Sequence, residues 1–311
     1  MRARLGINNC FAVKRWPRPA DWAPVVRYEL GLELVELSLD LMEVGSERER
    51  RRTAESVRAV LGEYGLRAET VFTGLAAYSR NLLMHPDAEQ RRSALEWYLA
   101  VAGVAGEIGA SGVGGHVGAM SVADWTDPER RAERWADLQR SLAEIAACAK
   151  TAGLEYLLVE NLAARREPSS MADLDSLLTD GDPGHVPVKL CLDVGHQCVP
   201  GSTGDDRDPY AWLRHFGRGA SGRTGGRLGE VQLQQSDGLA DTHWPFTAER
   251  NAAGRIDPDR VLDALAEGGA EDIVMVLEVI PPFEQDDQQV LADLKASVEL
   301  WTAALTQRRM Q

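Results

Sequence analysis

The sequence predicts a parallel (β/α)8 barrel, and three observations support this fold class. Short apolar segments alternate with longer amphipathic segments eight times along the 311 residues. Such alternation is typical of a parallel sheet with right-handed crossovers, and eight units match a closed barrel. The end of the first strand reads GINNC (residues 6–10), which lacks the glycine pattern of a doubly wound dinucleotide-binding sheet. With 44% hydrophobic residues, the chain can build one large core, and we expect one domain over residues 1–311.

The strands are predicted from short apolar or β-branched runs in which side chains alternate between two faces. The fourth run, GVGGHV, is the weakest because it contains three glycines. The predicted strands cover residues 4–9, 33–38, 66–72, 112–117, 154–160, 188–193, 228–234 and 273–279.

The helices are predicted from apolar positions at helical spacing, with glycine or proline at their ends. Pro128 and Pro258 fall in first turns, and Gly65 and Gly153 follow last turns. The predicted helices cover residues 19–30, 47–64, 86–109, 127–153, 170–178, 208–216, 257–267 and 285–306. Residues 200–207 and 236–255 are irregular and follow strands six and seven, on the barrel face that carries active sites. Residues 218–227 are also irregular and are expected on the opposite face.

The composition excludes several partners. The net charge is −14, so nucleic acid and anionic membranes are poor partners, although a few local cations can still bind a small anionic substrate. No apolar run reaches 18 residues, and the N-terminus does not resemble a signal peptide. The four cysteines form no CxxC pair, as is common in a reducing compartment. We therefore expect a soluble, cytoplasmic protein, and these features do not yet distinguish an enzyme from a binding protein.

Three carboxylates stand at the carboxyl ends of predicted strands. Glu160, Asp193 and Glu278 each follow a mostly apolar run, so the barrel would bring them together and partly bury them. Converging carboxylates repel each other unless a cation is present. A divalent metal site is therefore predicted, with Mn²⁺, Mg²⁺ or Co²⁺ favoured by oxygen ligands and Zn²⁺ as an alternative. A single glutamate in such a place is more often a salt-bridge partner, but three together favour the metal.

These motifs, VEN at 159–161, LDVGH at 192–196 and VLEV at 276–279, resemble the xylose isomerase-like TIM barrels. The G-x-I-D pattern at 254–257 also resembles a family motif. The superfamily includes ketose 3-epimerases, hydroxypyruvate isomerase, inosose dehydratase and endonuclease IV. The resemblance implies a metal-dependent sugar or sugar-phosphate isomerase or epimerase. Such an enzyme abstracts a proton α to a ketose carbonyl and passes through an enediolate.

The resemblance also implies roles for individual residues. Glu160 and Glu278 would be the acid–base pair, and Glu160, Asp193 and Glu278 would bind the metal with one residue of strand seven. The family usually has His in that strand, whereas this chain has Val231-Gln232-Leu233. We predict Gln232 as the fourth ligand, with Gln234 on the same strand face as second choice.

Substrate-binding roles are predicted for a further set of residues. His196 matches the histidine of the family's D-x-x-H motif, with a helix-capping role as the alternative. Glu36 is as well explained by a buried pairing with an Arg or Lys. The full set comprises His196, His116, Glu36, His243 and Arg255. If the substrate is a phosphate ester, the candidate cations are Lys14, Arg15, Arg223 and Arg255.

Other functions remain open at this stage. Asp241 and His243 form a D-x-H motif that resembles one that endonuclease IV uses for additional metals, but strands three and seven carry no His and the charge disfavours a nuclease. An inosose-type dehydratase begins with the same proton abstraction, and an inert binding barrel would explain the missing His. The stretch Q-Q-x-D-G…H-W-P-F-T resembles the tetrulose-phosphate 3-epimerases of bacterial erythritol catabolism. A homo-oligomer is compatible with all of these.

Overall fold

The structure, a computed structural model, describes residues 1–198, 201–217 and 226–310. Its strands form one closed parallel barrel in chain order, and β1 pairs with β8 from Arg2↔Asp272 to Ile7↔Leu277. The strands are β1 Arg2–Asn8, β2 Leu34–Ser38, β3 Arg67–Phe72, β4 Gly112–Gly115, β5 Tyr156–Glu160, β6 Val188–Asp193, β7 Leu228–Leu233 and β8 Asp272–Leu277. The predicted fold class is confirmed, and each strand end lies within two residues of its predicted position.

The α-helices follow the strands and surround the barrel. They are α1 Pro19–Pro24, α2 Glu47–Tyr64, α3 Ala88–Ile108, α4 Val122–Thr126, α5 Pro128–Thr151, α6 Met171–Leu177, α7 Pro209–Phe216, α8 Ala248–Ala253, α9 Pro258–Glu267 and α10 Asp287–Met310. As predicted, Pro128 and Pro258 lie in the first turns of α5 and α9. Gly65 directly follows α2 and has a left-handed φ of 63°. In the described residues no helix is long and apolar enough to cross a membrane.

Three segments differ from the sequence prediction. The helix expected over 19–30 is α-helical only to Pro24 and continues as a π-helical turn, Val25–Glu29, because proline has no backbone N–H to donate. The short helices α4 and α8 were not predicted, since a single turn shows no helical periodicity. Of the stretch 218–227, residues 218–225 lie outside the described part of the chain, and so does the candidate Arg223.

The alternation of side chains along each strand separates two cores. Outward-facing residues such as Val35, Val113 and Met275 join the main core beneath the helices, and inward-facing residues such as Leu158 and Val276 form small clusters inside the barrel. The glycines of β4 permit close strand packing, because a Cβ at Gly114 would lie 2.2 Å from the Leu158 carbonyl oxygen. The same parity directs Glu160, Asp193 and Glu278 inward at the carboxyl ends of their strands.

Candidate active site

The predicted carboxylates meet at the mouth of the barrel. Glu160 ends β5, Asp193 ends β6 and Glu278 directly follows β8, so that each side chain reaches the interior from a different side. One carboxylate oxygen of each lies within 4.8 Å of one oxygen of the other two, and all three residues are buried. The convergence expected from the barrel topology is therefore present.

Asp193 is held firmly by its neighbours. Its Oδ1 accepts hydrogen bonds from the backbone N–H of Gly195 at 2.6 Å and of His196 at 3.1 Å. The side chain of Asn161 exchanges two hydrogen bonds with the Asp193 backbone, at 2.7 and 3.0 Å. These contacts orient the carboxylate before any ligand binds.

Glu160 and Glu278 are held in a matching way. Glu160 Oε2 accepts a hydrogen bond from the Tyr78 hydroxyl, and Glu278 Oε1 accepts one from Asn8 Nδ2 at 3.0 Å. The other oxygen of each, Glu160 Oε1 and Glu278 Oε2, is buried without a hydrogen-bond partner in the described residues. Each glutamate therefore has one oxygen fixed by a donor and one available for a ligand or a proton.

The electrostatics of this trio suit a cation. Burial raises the pKa of Glu160 to about 8. Burial and the neighbouring carboxylates Glu160 and Asp193 raise the pKa of Glu278 well above its ordinary value. Buried carboxylates of this kind are stabilised by protonation or by a divalent cation, and oxygen ligands favour hard ions. The orphaned oxygens and the donor chemistry thus fit the metal that the sequence predicted.

Two histidines lie beside the trio and share a carboxylate. His196 Nε2 is 3.1 Å from Asp241 Oδ2, and His243 Nε2 is 3.2 Å from Asp241 Oδ1. Burial alone would lower the pKa of His196, but the charges of Asp193 and Asp241 outweigh it and raise that pKa well above the ordinary value. The structure therefore brings the predicted residues His196 and His243 to the site, together with Asp241.

His116 lies just beyond β4 with its ring buried. Its ring stacks on Tyr78 with 4.7 Å between ring centroids, and neither ring nitrogen has a hydrogen-bond partner in the described residues. Burial lowers the pKa of His116 to about 4, so the imidazole is neutral at physiological pH. A neutral imidazole with both nitrogens available can bind a substrate hydroxyl, and the predicted substrate role of His116 remains a prediction.

Glu36 lies deeper in the barrel than the trio, and its oxygens are already engaged. Oε1 accepts from Asn8 at 2.8 Å and from Gln232 at 2.9 Å, and Oε2 accepts from Thr70 at 2.8 Å. These partners are an asparagine, a glutamine and a threonine, so the described contacts do not include the alternative pairing with Arg or Lys. The predicted substrate role of Glu36 remains a prediction.

The two strand-seven glutamines have different surroundings. Gln232 donates to Glu36, and its own Oε1 has no partner in the described part of the chain. Gln234 Nε2 lies 3.1 Å from both carboxylate oxygens of Asp193. Gly195 makes this approach possible, since a Cβ there would lie 2.3 Å from the Gln234 carboxamide carbon. Gln234 therefore contacts the trio through a donor nitrogen, whereas Gln232 keeps a carbonyl oxygen without a partner in the described residues, and the choice of Gln232 or Gln234 as fourth ligand remains a prediction.

The predicted phosphate-binding cations do not enter the trio. Arg255 is exposed and donates from Nε to the Asp237 carbonyl at 2.8 Å. Arg15 pairs with Asp287, and exposed Lys14 lies 4.1 Å from the centroid of the Phe283 ring. None of their described contacts is with Glu160, Asp193 or Glu278.

Three site residues were missed by sequence reasoning. Asn8 ends β1 and was a polar strand-end residue that the same rule could have identified. Asp241 was noticed only as part of the D-x-H motif. Tyr78 lies in the loop beyond β3, where no periodicity marks it.

Comparisons with known proteins identify the family and the fold. The model of the xylose isomerase-like TIM barrel family matches residues 28–298. The chain is 31% identical over 309 residues to D-erythrulose 1-phosphate 3-epimerase of Brucella abortus (strain 2308), covering 97% of this chain and 96% of that protein.

Solved structures show the same fold. A protein from Rhodospirillum rubrum ATCC 11170, provisionally assigned as a xylose isomerase, is 33% identical with a TM-score of 0.86, covering 97% of this chain and 99% of that one. D-psicose 3-epimerase from Clostridium cellulolyticum H10 has a TM-score of 0.66 at 16% identity, covering 97% and 99%. The predicted enzyme class, an isomerase, is confirmed by the curated relative. The chain belongs to the xylose isomerase-like TIM barrel family.

Proposed function

We propose that the chain is a metal-dependent ketose 3-epimerase that acts on a tetrulose 1-phosphate. The observation that carries the proposal is the pair Glu160 and Glu278, which reach the barrel mouth from β5 and β8, each with one unpartnered buried oxygen. The curated relative, named for D-erythrulose 1-phosphate, supports the substrate class.

Glu160, Asp193 and Glu278 would hold the divalent cation, since their oxygens lie within 4.8 Å of one another. When bound, the cation supplies positive charge that stabilises the negative charge developing on the substrate as a proton leaves. Mn²⁺, Mg²⁺ or Co²⁺ fits the oxygen ligands, and Zn²⁺ is the alternative. Of the two β7 glutamines, Gln234 supports this cluster by its contact with Asp193.

The proton transfer uses the two glutamates. One takes the proton from C3, the carbon next to the ketose carbonyl, and the electrons of the C–H bond move into the carbonyl to give an enediolate. The other glutamate returns a proton to C3 from the opposite face, which inverts that centre. The hydrogen bonds from Tyr78 and Asn8 hold one oxygen of each glutamate, so the other oxygens, Glu160 Oε1 and Glu278 Oε2, would be available to the substrate.

The surrounding side chains would bind and orient the substrate. His116 is neutral and offers one donor and one acceptor to hydroxyl groups. Burial of the site excludes water, which strengthens these polar contacts and limits exchange of the intermediate.

The test is a direct assay of the epimer. Cation-loaded protein is incubated with D-erythrulose 1-phosphate and, separately, with unphosphorylated D-erythrulose, and the C3 epimers are separated by chiral chromatography. We expect the L epimer from the phosphate ester, with chelator-treated protein and Glu160→Gln as inactive controls. Formation of no epimer from either sugar by the loaded protein would contradict the proposal.

A further inference from the structure

Residues 74–80, in the loop after β3, carry Tyr78 to the active site. They form a tight turn that contains a short 3-10 helix, Leu75–Ser79. The Tyr78 hydroxyl donates to Glu160 Oε2, and its ring stacks on His116 with 4.7 Å between ring centroids. The position of this turn therefore determines where Tyr78 meets Glu160.

A carboxylate from the neighbouring loop holds the turn. Asp40 lies just beyond the end of β2. Its Oδ2 accepts a hydrogen bond from the backbone N–H of Leu75 at 2.6 Å, and its Oδ1 accepts one from Ala76 at 3.3 Å. Hydrogen bonds to an ionised acceptor are stronger than those between neutral groups. Because each carboxylate oxygen has its own donor, both the position and the orientation of the turn are restrained.

The close approach of Asp40 requires a glycine at position 74. A Cβ there would lie 2.2 Å from Asp40 Cγ. The φ of Gly74 is −99°, which other residues also adopt, so the lack of space rather than the backbone conformation accounts for the glycine. Within the turn, the Ala77 N–H donates back to the Gly74 carbonyl at 3.0 Å. Tyr78 therefore follows directly on the hydrogen-bonded residues that Asp40 holds.

Packing does not restrain the outer side of the turn. A cavity of about 1000 Å³ borders it there, lined by Ala76 and Ser79 of the turn and by Ser93 and Trp97 of α3. Leu75 and Ala76 are also exposed. Segments with few buried contacts are displaced at a low cost in free energy. The hydrogen bonds to Asp40 therefore hold the turn on a side where packing leaves it room to shift.

We infer that Asp40 is a positioning residue for the proposed proton transfer, because it holds Tyr78 against Glu160 through the turn 74–80. Its remaining described hydrogen bond runs from its own backbone N–H to Ser38 Oγ at 3.3 Å, so none of them reaches the trio. The inference rests on the proposed function in that Glu160 moves the proton. It goes further because it gives the loop after β2 a part in the reaction.

The test is a double-mutant cycle of Asp40→Asn and Tyr78→Phe. Asp40→Asn keeps the shape of the side chain but turns an NH₂ group towards one of the two backbone N–H donors. With D-erythrulose 1-phosphate we expect kcat to fall about tenfold and KM to stay within about twofold, as for an interaction that serves the chemical step. In the Tyr78→Phe background the same change should have almost no further effect, because the contact through which Asp40 acts is already lost.

Two further variants make the cycle specific. Asp127→Asn is the matched control, because Asp127 also accepts from two backbone N–H groups, those of Glu129 at 3.0 Å and Arg130 at 3.3 Å, at the start of α5. Its kcat should be unchanged. Gly74→Ala displaces the turn from Asp40 without altering the carboxylate, and kcat should fall as in Asp40→Asn. Thermal unfolding confirms that each variant is folded.

The affinity for Mn²⁺, titrated into chelator-treated protein, is a readout that needs no turnover. Asp40→Asn and Tyr78→Phe should each weaken it about tenfold, again without adding, because both leave the proposed ligand Glu160 less well oriented. Full kcat and full Mn²⁺ affinity in Asp40→Asn would overturn the positioning role, and so would equal losses with and without the Tyr78 hydroxyl. A wild type that forms no epimer but shows the non-additive losses in affinity would refute the proposed reaction and leave this role in place.

Discussion

The side chain of Asn8 joins Glu278 to Glu36. Its Nδ2 donates to Glu278 Oε1 at 3.0 Å and to Glu36 Oε1 at 2.8 Å. The contact exists because β1 lies between β8 and β2 in the closed barrel. One amide thus orients a proposed catalytic carboxylate and stabilises a second, deeper one.

Replacement of Asn8 by Ala should therefore cost both stability and activity. Two buried carboxylate oxygens would each lose a donor, and an unsatisfied buried polar group costs about 1–3 kcal/mol. Chemical denaturation of chelator-treated protein should show a loss of that size in the free energy of unfolding. Asn251→Ala is a control on α8, where the side-chain amide oxygen accepts one hydrogen bond, from Gln235, among the described residues. Equal losses in the two variants would contradict the role given to Asn8.

Tyr78→Phe isolates the hydrogen bond to Glu160. The variant keeps the ring that stacks on His116 and removes only the hydroxyl that donates to Glu160 Oε2. We expect a folded protein whose kcat/KM falls about tenfold, equivalent to ~1.4 kcal/mol, because Glu160 is no longer oriented. Tyr64 lies on α2, outside the barrel mouth, and Tyr64→Phe should leave kcat/KM unchanged. Steady-state kinetics decides this, and full activity in Tyr78→Phe would refute the orienting role.

The stability of the cation-free protein should depend on pH with a defined sign. Burial raises the pKa of Glu160 to about 8 and that of Glu36 to about 7, from 4.5 in the unfolded chain. A carboxyl with a raised pKa stabilises the fold fully below the unfolded value, and this contribution is lost as the pH rises through the folded value. The Tm of chelator-treated protein should therefore fall between about pH 5 and pH 8.

Loading with a divalent cation should flatten that dependence, because the cation compensates the ionised carboxylates. Differential scanning calorimetry with and without Mn²⁺ measures both curves. Glu160→Gln should also reduce the slope of the cation-free curve. A cation-free Tm that is constant or rises over this range would contradict the raised pKa values.

The two strand-seven glutamines form a natural pair of controls. Gln234→Leu should weaken cation binding by about 10–100-fold, because its amide contacts Asp193, and residues that orient ligands typically have effects of this size. Gln232→Leu should change affinity less, since its described contact is with Glu36. Titration of chelator-treated protein with Mn²⁺ measures the cation affinity of each variant. The reverse order would support the sequence-based choice of Gln232.

The barrel and its carboxylates were predictable because they follow from local patterns. Alternation along β5, β6 and β8 fixes which side chains point inward, and barrel topology brings strand ends together. Tyr78 and Asp241 were not predictable in this way, because they reach the site from loops whose path depends on tertiary contacts. The backbone of this second loop also passes through the left-handed region at His243, with a φ of 44°, which no sequence pattern marks for histidine. Gln232 was ranked above Gln234 because Val231-Gln232-Leu233 matches the position where the family has His, and sequence alone does not show that Gln234, on the same strand face, contacts Asp193.

The most direct test of the proton-transfer account is solvent exchange at C3, followed by NMR in D₂O. With cation-loaded protein and D-erythrulose 1-phosphate, the account predicts deuterium at C3 in both epimers. With Glu278→Gln at equal cation content and equal thermal stability it predicts almost no epimer, because only Glu160 remains to move the proton. Epimer that forms without deuterium at C3, or epimer formation at the wild-type rate in Glu278→Gln, would contradict the claim that Glu160 and Glu278 move the proton.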